Sequence, residues 1–191
     1  LDFDDLIERT ARLLSENSMA QWVLFRLDGG IDHILVDEAQ DTSPAQWQVI
    51  ERLTKAGIPV RAMVAPVVPG LTDHEVESIL QAVQDAGAVA ASFIALRLPR
   101  EVSGLFQDWL ATHFPDRAAK VMARVREMHG GQDYDPAFGR RMTGEGLWAD
   151  LLAQRFSKAA ARLGLASRMP PLRCDLFRPP ARAGDQLSLW G

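Results

Sequence analysis

The chain has 191 residues, of which 47% are hydrophobic and 24% charged, a composition typical of a soluble globular protein that forms one domain or two small ones. Its formal net charge of -4 gives no overall attraction to nucleic acid, so a DNA contact would need a local basic face or a partner. The single cysteine, Cys174, excludes an internal disulfide and fits a reducing cytoplasm. No apolar run reaches the roughly 18 residues needed to cross a bilayer, so we predict a cytoplasmic protein with no membrane contact.

Apolar spacing and turn signals predict alternating helices and strands in the first half of the chain. Pro44 is a favoured first-turn residue and follows residues 41–43, which can cap a helix, while Thr72 and Glu75 have the spacing of a capping box. The strand, helix, strand, helix, strand order predicts an α/β fold with a small parallel sheet of about three strands and crossover helices. The predicted helices cover about residues 3–14, 19–27, 44–55 and 72–87, and the predicted strands cover 31–36, 60–68 and 89–98.

Beyond residue 99 the pattern is mostly helical. Helices are predicted over about residues 102–113, 115–128 and 146–163, with a long loop between the last two. From residue 166 onward, prolines and scattered arginines predict an extended tail.

Two adjacent carboxylates, Asp37 and Glu38, follow the apolar residues of the first predicted strand. Parallel α/β sheets bind ligands at the carboxyl ends of their strands. Asp37 is placed to hold a magnesium ion through water, and Glu38 to orient or deprotonate an attacking water. The alternative is a strand followed by a capped acidic turn without a chemical role.

The stretches "LDFDDLI" (1–7) and "VLFRLDGGIDHILVDEAQDTSPAQWQVIERL" (23–53) resemble the motif II region of UvrD/Rep-like superfamily 1 DNA helicases, most closely the AddA type of double-strand break repair. The resemblance implies that residues 1–54 are a helicase motor fragment with the Walker B strand, using ATP and Mg²⁺ and acting on DNA. It also implies roles for four residues. Asp37 would coordinate magnesium, Glu38 would be the catalytic base, and Gln40 with Asp41 would couple the nucleotide state to DNA movement.

The same family uses a phosphate loop, Gly-x-x-x-x-Gly-Lys-[Ser/Thr], and this run does not occur in the 191 residues. Without the amides and lysine of that loop, we expect the carboxylates to bind magnesium nucleotide weakly. The arginine-bearing motifs and the second motor domain are missing too. The chain starts at Leu1 without an initiator methionine, in what reads as a helix already under way, which suggests a truncated or excised fragment. We therefore expect that this chain alone does not unwind DNA.

A second resemblance begins after residue 54. "KAGIPVRAMVAPVVPGLTDHEVESILQAVQDAGAVAASFIALRLP" (55–99), "DWLATHFPDRAAKVMARVREMHGG" (108–131) and "LWADLLAQRF" (147–156) are similar to the carboxyl-terminal part of radical SAM proteins related to spore photoproduct lyase. It implies that residues 55–165 are an α/β and helical region of that type, with S-adenosylmethionine and a [4Fe-4S] cluster as cofactors. The candidates for packing beside S-adenosylmethionine are Val67, Pro69 and Gly70.

The cysteine triad that holds such a cluster is missing, so this chain alone cannot perform radical chemistry. The turn after the second strand is equally explained as a capped helix start without a cofactor. Neither resemblance includes all the catalytic residues of its family, so the sequence does not decide whether the chain is an enzyme. The two resemblances, one after the other, indicate a fusion-like chain. A further alternative is a non-catalytic chain that binds a sliding clamp, or an artefactual chimera.

The end of the chain, "DQLSLWG" (185–191), resembles the short motif by which bacterial repair proteins bind the sliding clamp. In this interpretation a glutamine makes hydrogen bonds and apolar side chains fill a groove, at a modest ordering cost. The alternative is a free or self-packed tail. The motif residues are Gln186, Leu187, Ser188, Leu189 and Trp190.

The four histidines show no mutual spacing of metal ligands. A group of basic residues near Trp109 and Tyr134 is either a nucleic-acid face or a solvated helix face. The basic residues are Arg117, Lys120, Arg124, Arg126, Arg140 and Arg141.

Overall fold

A computed structural model describes residues 3–14, 22–23 and 34–168 of the chain. The described elements alternate as predicted and then become helical, and most of the predicted helix over residues 19–27 lies outside the described residues. In chain order they are α1 (Phe3–Leu13), β1 (Ile34–Val36), α2 (Pro44–Lys55), β2 (Val60–Val67), α3 (Val76–Asp85), β3 (Ala90–Ala95), α4 (Glu101–His113), α5 (Pro115–Met128) and α6 (Leu147–Arg162).

The three strands form one parallel sheet in the order β1, β2, β3. β1 pairs residue by residue with the start of β2, from Ile34 beside Val60 to Val36 beside Ala62. The pairing of β2 with β3 shifts register between Val64 and Val67. Val60 and Ala62 of the central strand β2 are fully buried in the main apolar cluster. The predicted α/β fold with a small parallel sheet is confirmed.

A reciprocal pair of hydrogen bonds starts α2. The hydroxyl of Ser43 accepts from the Gln46 N–H at 3.3 Å, and the Gln46 side-chain oxygen accepts from the Ser43 N–H at 2.7 Å. Pro44 occupies the first turn, where its missing N–H costs no hydrogen bond. The predicted cap within residues 41–43 is therefore confirmed, with Ser43 as the capping residue.

The turn after β2 differs from its prediction. The Thr72 hydroxyl accepts a hydrogen bond from the Val68 N–H at 3.0 Å, and Asp73 Oδ1 accepts from the Gly70 N–H at 3.0 Å. These side chains satisfy the amides of the turn, as short polar residues often do. α3 begins at Val76 without a side-chain cap, so the predicted capping box of Thr72 and Glu75 is wrong.

The core lies against the sheet and continues past the carboxyl ends of its strands. Leu80 of α3 and Phe156 of α6 belong to the larger apolar cluster, which includes the buried side chains of β2. A second cluster joins the residues that follow β2 and β3 to α4 and α5. Its members are Val68, Leu71, Leu96, Leu98, Leu110, Val121, Met122 and Val125.

The loop between α5 and α6 is tied to the end of β3 at two points. Buried His129 donates a hydrogen bond through Nε2 to the Leu96 carbonyl at 3.0 Å. The Ala95 N–H donates to the Met142 carbonyl at 2.9 Å. The loop therefore brings Met142 to the carboxyl end of the sheet.

Candidate functional site

The carboxyl ends of the three strands border an open cavity of about 270 Å³. Asp37 and Glu38 line it directly after β1, and Arg97 lines it two residues after β3. The remaining walls are Ala65, Pro66, Ile94, Ala95, Leu96 and Met142. The structure thus places the predicted metal and catalytic-base residues where parallel sheets bind ligands.

Glu38 has a backbone conformation that is uncommon for a residue with a side chain. Its φ of 51° and ψ of 46° lie in the left-handed region, which costs roughly 1–2 kcal/mol for an L-residue other than glycine. Asp37 supports the turn, because its Oδ1 accepts from the Glu38 N–H at 3.0 Å. Both acidic residues are exposed, so their carboxylates are accessible to an ion from solvent. Strain of this kind often accompanies functional turns.

Gln40 fixes the acidic turn to the central strand. Its side-chain oxygen accepts from the Ala65 N–H at 3.2 Å, and its side-chain amide donates to the Ala65 carbonyl. Ala65 precedes Pro66 through a cis peptide bond. Asp41 ends the short 3₁₀ turn, is exposed, and donates its N–H to the Glu38 carbonyl at 2.8 Å. The role of Gln40 and Asp41 in coupling the nucleotide state to DNA movement stays a prediction. The observed contact of Gln40 holds the acidic turn against β2.

Arg97 was not singled out by the sequence. Its guanidinium donates to the Met142 sulfur at 3.0 Å, and a thioether is a weak acceptor. Among residues 3–14, 22–23 and 34–168, no carboxylate oxygen lies within 4.0 Å of the Arg97 guanidinium, so Arg97 forms no ion pair there. The sequence did contain one signal that could have identified Arg97: a basic residue at the carboxyl end of the third predicted parallel strand, where such sheets bind ligands.

The candidate S-adenosylmethionine residues lie at the carboxyl end of β2 but do not line this cavity. Val67 and Pro69 are buried. A side chain at Gly70 would lie 2.6 Å from Nη1 of Arg124, whose guanidinium carbon is 3.8 Å from the centre of the Trp148 ring. The proximity of these residues to a cofactor stays a prediction.

Several of the basic residues have local partners. Arg126 pairs with Asp133 at 2.7 Å, and Arg140 pairs with Asp135 at 3.2 Å and with Glu145 at 3.0 Å. The hydrogen bond from the Ser103 hydroxyl, followed by the Arg126 guanidinium, lowers the pKa of Asp133 below its ordinary value. These pairs favour a solvated, locally neutralised surface over a continuous nucleic-acid face.

Other predicted features fall outside this site. The clamp motif (186–190), Cys174 and His33 lie outside the described residues. In the part of the chain that the structure describes, no three His, Cys, Asp or Glu side chains group together as metal ligands. No helix in that part has both the length and the apolar character needed to span a bilayer.

Comparison with known proteins identifies the class of the amino-terminal part. Residues 1–64 match the family model of the UvrD/REP helicase N-terminal domain. This range includes β1, the acidic pair, α2 and the first half of β2. The amino-terminal third of the chain is thus helicase-like, which agrees with the resemblance around motif II.

The chain is also similar to uncharacterized mycobacterial proteins. It is 32% identical over 115 residues to the uncharacterized protein Mb2609c of Mycobacterium bovis and to the uncharacterized protein Rv2578c of Mycobacterium tuberculosis. Each match covers 59% of this chain, so it extends past the helicase-like residues 1–64. The chain spans about a third of the length of these relatives, since 33% of each is covered. No solved structure matches this chain.

Proposed function

We propose that residues 34–55 form the magnesium-binding half of a helicase-type ATP site. The observation that carries the proposal is the position of Asp37 and Glu38 at the cavity, within a segment that matches a helicase family model. In this proposal Asp37 holds magnesium through water, and Glu38 accepts a proton from the attacking water. Gln40 and Asp41 couple the nucleotide state to movement on DNA.

The residues present fit a divalent cation better than they fit a complete nucleotide. Two exposed carboxylates at the end of a parallel strand are hard oxygen ligands, which magnesium prefers. The 191 residues contain no phosphate loop to supply backbone amides and a lysine to the phosphates. We therefore propose that this chain by itself binds magnesium nucleotide weakly and does not hydrolyse it.

Titration of the 191-residue chain with Mn²⁺, followed by electron paramagnetic resonance, tests the site. We expect weak, saturable binding that is lost in Asp37→Asn and kept in Glu8→Gln, a matched change at an exposed acid of α1. Absence of Mn²⁺ binding, or equal binding by Asp37→Asn, would refute the metal role.

A hydrolysis assay with ATP, Mg²⁺ and single-stranded DNA tests the second half of the proposal. We expect phosphate release from the 191-residue chain to equal that from Glu38→Gln. DNA-stimulated release that disappears in Glu38→Gln would show that the site is complete as it stands.

The radical SAM origin of residues 55–165 and the clamp docking of residues 186–190 stay predictions. For the first, anaerobic reconstitution with iron and sulfide should give no protein-bound cluster, because the cysteine triad is missing. For the second, binding to a bacterial sliding clamp should be lost when residues 186–190 are removed.

A further inference from the structure

The cavity at the carboxyl end of the sheet contains charges of both signs that do not neutralise one another. Asp37 and Glu38, which follow β1, and Arg97, which follows β3, all line it. Across the described parts of the chain, none of these three side chains forms an ion pair within 4.0 Å. Separated, uncompensated charges of this kind are suited to a ligand that carries both a cation and an anion.

Arg97 is held at the cavity by its neighbours. It is partly buried, and its Nη1 donates to the Met142 sulfur at 3.0 Å. The backbone of Met142 is in turn fixed by the Ala95 N–H. Since a thioether satisfies a guanidinium poorly, most of the donor capacity of Arg97 remains for another acceptor.

We propose that Arg97 binds a phosphate oxygen of a diphosphate or triphosphate group whose divalent cation is held by Asp37, with Glu38 beside it. This inference rests on the proposed magnesium site. With a divalent cation bound, the three side chains and the cation together carry a net positive charge, which favours an anion. The planar guanidinium matches phosphate oxygens through two parallel hydrogen bonds.

The size of the cavity is compatible with a phosphate chain. The open cavity measures about 270 Å³, close to the lower end of the roughly 300–1,000 Å³ that is typical of ligand pockets.

The site would be shared between two parts of the chain. Asp37 and Glu38 belong to the segment that matches the helicase family, whereas Arg97 lies beyond residue 64. The phosphate-binding charge would thus come from outside the helicase-like segment.

Binding of pyrophosphate in the presence of Mn²⁺, measured by isothermal titration calorimetry on the 191-residue chain, tests this assignment. We expect Arg97→Gln to weaken pyrophosphate binding by at least about tenfold, because it removes a charge-assisted bidentate contact. Binding of Mn²⁺ alone should not be weakened, because the substitution removes a positive charge from the cavity. Arg97→Lys should give an intermediate affinity, and Arg117→Gln, a change at an exposed arginine of α5, should have no effect.

A second measurement uses the unaltered chain and does not depend on the folding of a variant. Phenylglyoxal modifies accessible arginines, and mass spectrometry locates the modified sites. We expect Mn²⁺ with pyrophosphate to slow modification of Arg97 and not of Arg117. Repeating the protection with ADP tests whether a nucleoside diphosphate uses the same residue.

The outcomes separate this inference from the proposed function. If Mn²⁺ binds through Asp37 but Arg97→Gln leaves pyrophosphate affinity unchanged and Arg97 is not protected, the role of Arg97 is wrong and the metal site stands. If the unaltered chain does not bind Mn²⁺, the metal site itself fails, and this inference fails with it.

Discussion

The side-chain amide of Gln40 binds both backbone polar groups of Ala65, 25 residues further along the chain. The Gln40 side chain therefore makes the two hydrogen bonds to β2 that a backbone residue of an adjacent strand would otherwise make. This contact fixes the turn that carries Asp37 and Glu38, so the geometry of the acidic pair depends on β2 as well as on β1. It also links the predicted helicase fragment, residues 1–54, to the region beyond it.

Replacing Gln40 with alanine should destabilise the fold. Both Ala65 groups are partly buried and would lose their partners, which we expect to cost about 1–3 kcal/mol in the free energy of unfolding. Urea denaturation measures this change. Gln48→Ala, at an exposed position of α2, should change stability by less than about 0.5 kcal/mol. Equal losses in the two variants would contradict the role of Gln40.

Replacing Glu38 with glycine should stabilise the fold while removing the proposed base. Glycine adopts the left-handed conformation without the roughly 1–2 kcal/mol cost of other residues, and it loses about 0.5–1 kcal/mol through its greater freedom in the unfolded chain. We therefore expect a net gain of up to about 1.5 kcal/mol in the free energy of unfolding, measured by thermal or urea denaturation. Glu38→Ala keeps a side chain in the left-handed backbone conformation, so it retains the conformational cost and should not be stabilised. A loss of stability in Glu38→Gly would show that the Glu38 side chain, and not its backbone, determines stability at this turn.

Truncation of Leu80 tests the main core. Leu80 is fully buried between α3 and the sheet, and removing such a side chain costs about 2–5 kcal/mol. Leu105 of α4 is 67% exposed, so Leu105→Ala should cost less than about 0.5 kcal/mol. Urea denaturation of Leu80→Ala and Leu105→Ala measures the two losses in the free energy of unfolding. Similar losses would contradict the burial of Leu80 between α3 and the sheet.

The contribution of Asp133 should depend on pH. The Ser103 hydroxyl and the Arg126 guanidinium hold its pKa below the ordinary 3.8, so the charged form is favoured in the folded state. The stabilisation is therefore complete above pH 3.8 and is lost as pH falls through the lower pKa of the folded protein. We expect Asp133→Asn to be less stable than the unaltered chain at pH 7, with the difference shrinking in acid.

Thermal unfolding at pH 7 and at successively lower pH values measures this effect of Asp133. Asp108→Asn, at an exposed position of α4, is the matched control, and its difference in stability from the unaltered chain should not shrink as the pH falls. A difference that stays constant down to the acid limit would mean that the charge of Asp133 contributes nothing.

The parts of the fold that depend on local chemistry were predictable from the sequence. The bounds of α2 follow from Ser43, Pro44 and the glycine at position 57, which all act within a few residues. The parallel sheet follows from the order and apolar character of the segments. The acidic pair was placed correctly at a strand end because the strand and the carboxylates are adjacent in the chain.

The features that were not predictable depend on distant contacts. The Thr72 hydroxyl can cap a helix or close a turn, and only the path of the chain after β2 decides that it bonds to the Val68 amide. Gln40 meets Ala65, and Arg97 meets Met142 across 45 residues. Such contacts leave no periodic signal along the sequence, so Arg97 was missed as a residue of the candidate site.

The ladder between β1 and β2 also constrains how this chain can vary. Ile34 and Val36 stand beside Val60 and Ala62 in adjacent strands, and the connection between the strands passes through the point where the two sequence resemblances meet. A bulkier residue on either strand would need a smaller one on the other. Matched substitutions at these neighbouring positions are therefore the expected evolutionary trace of the two strands adapting to one another.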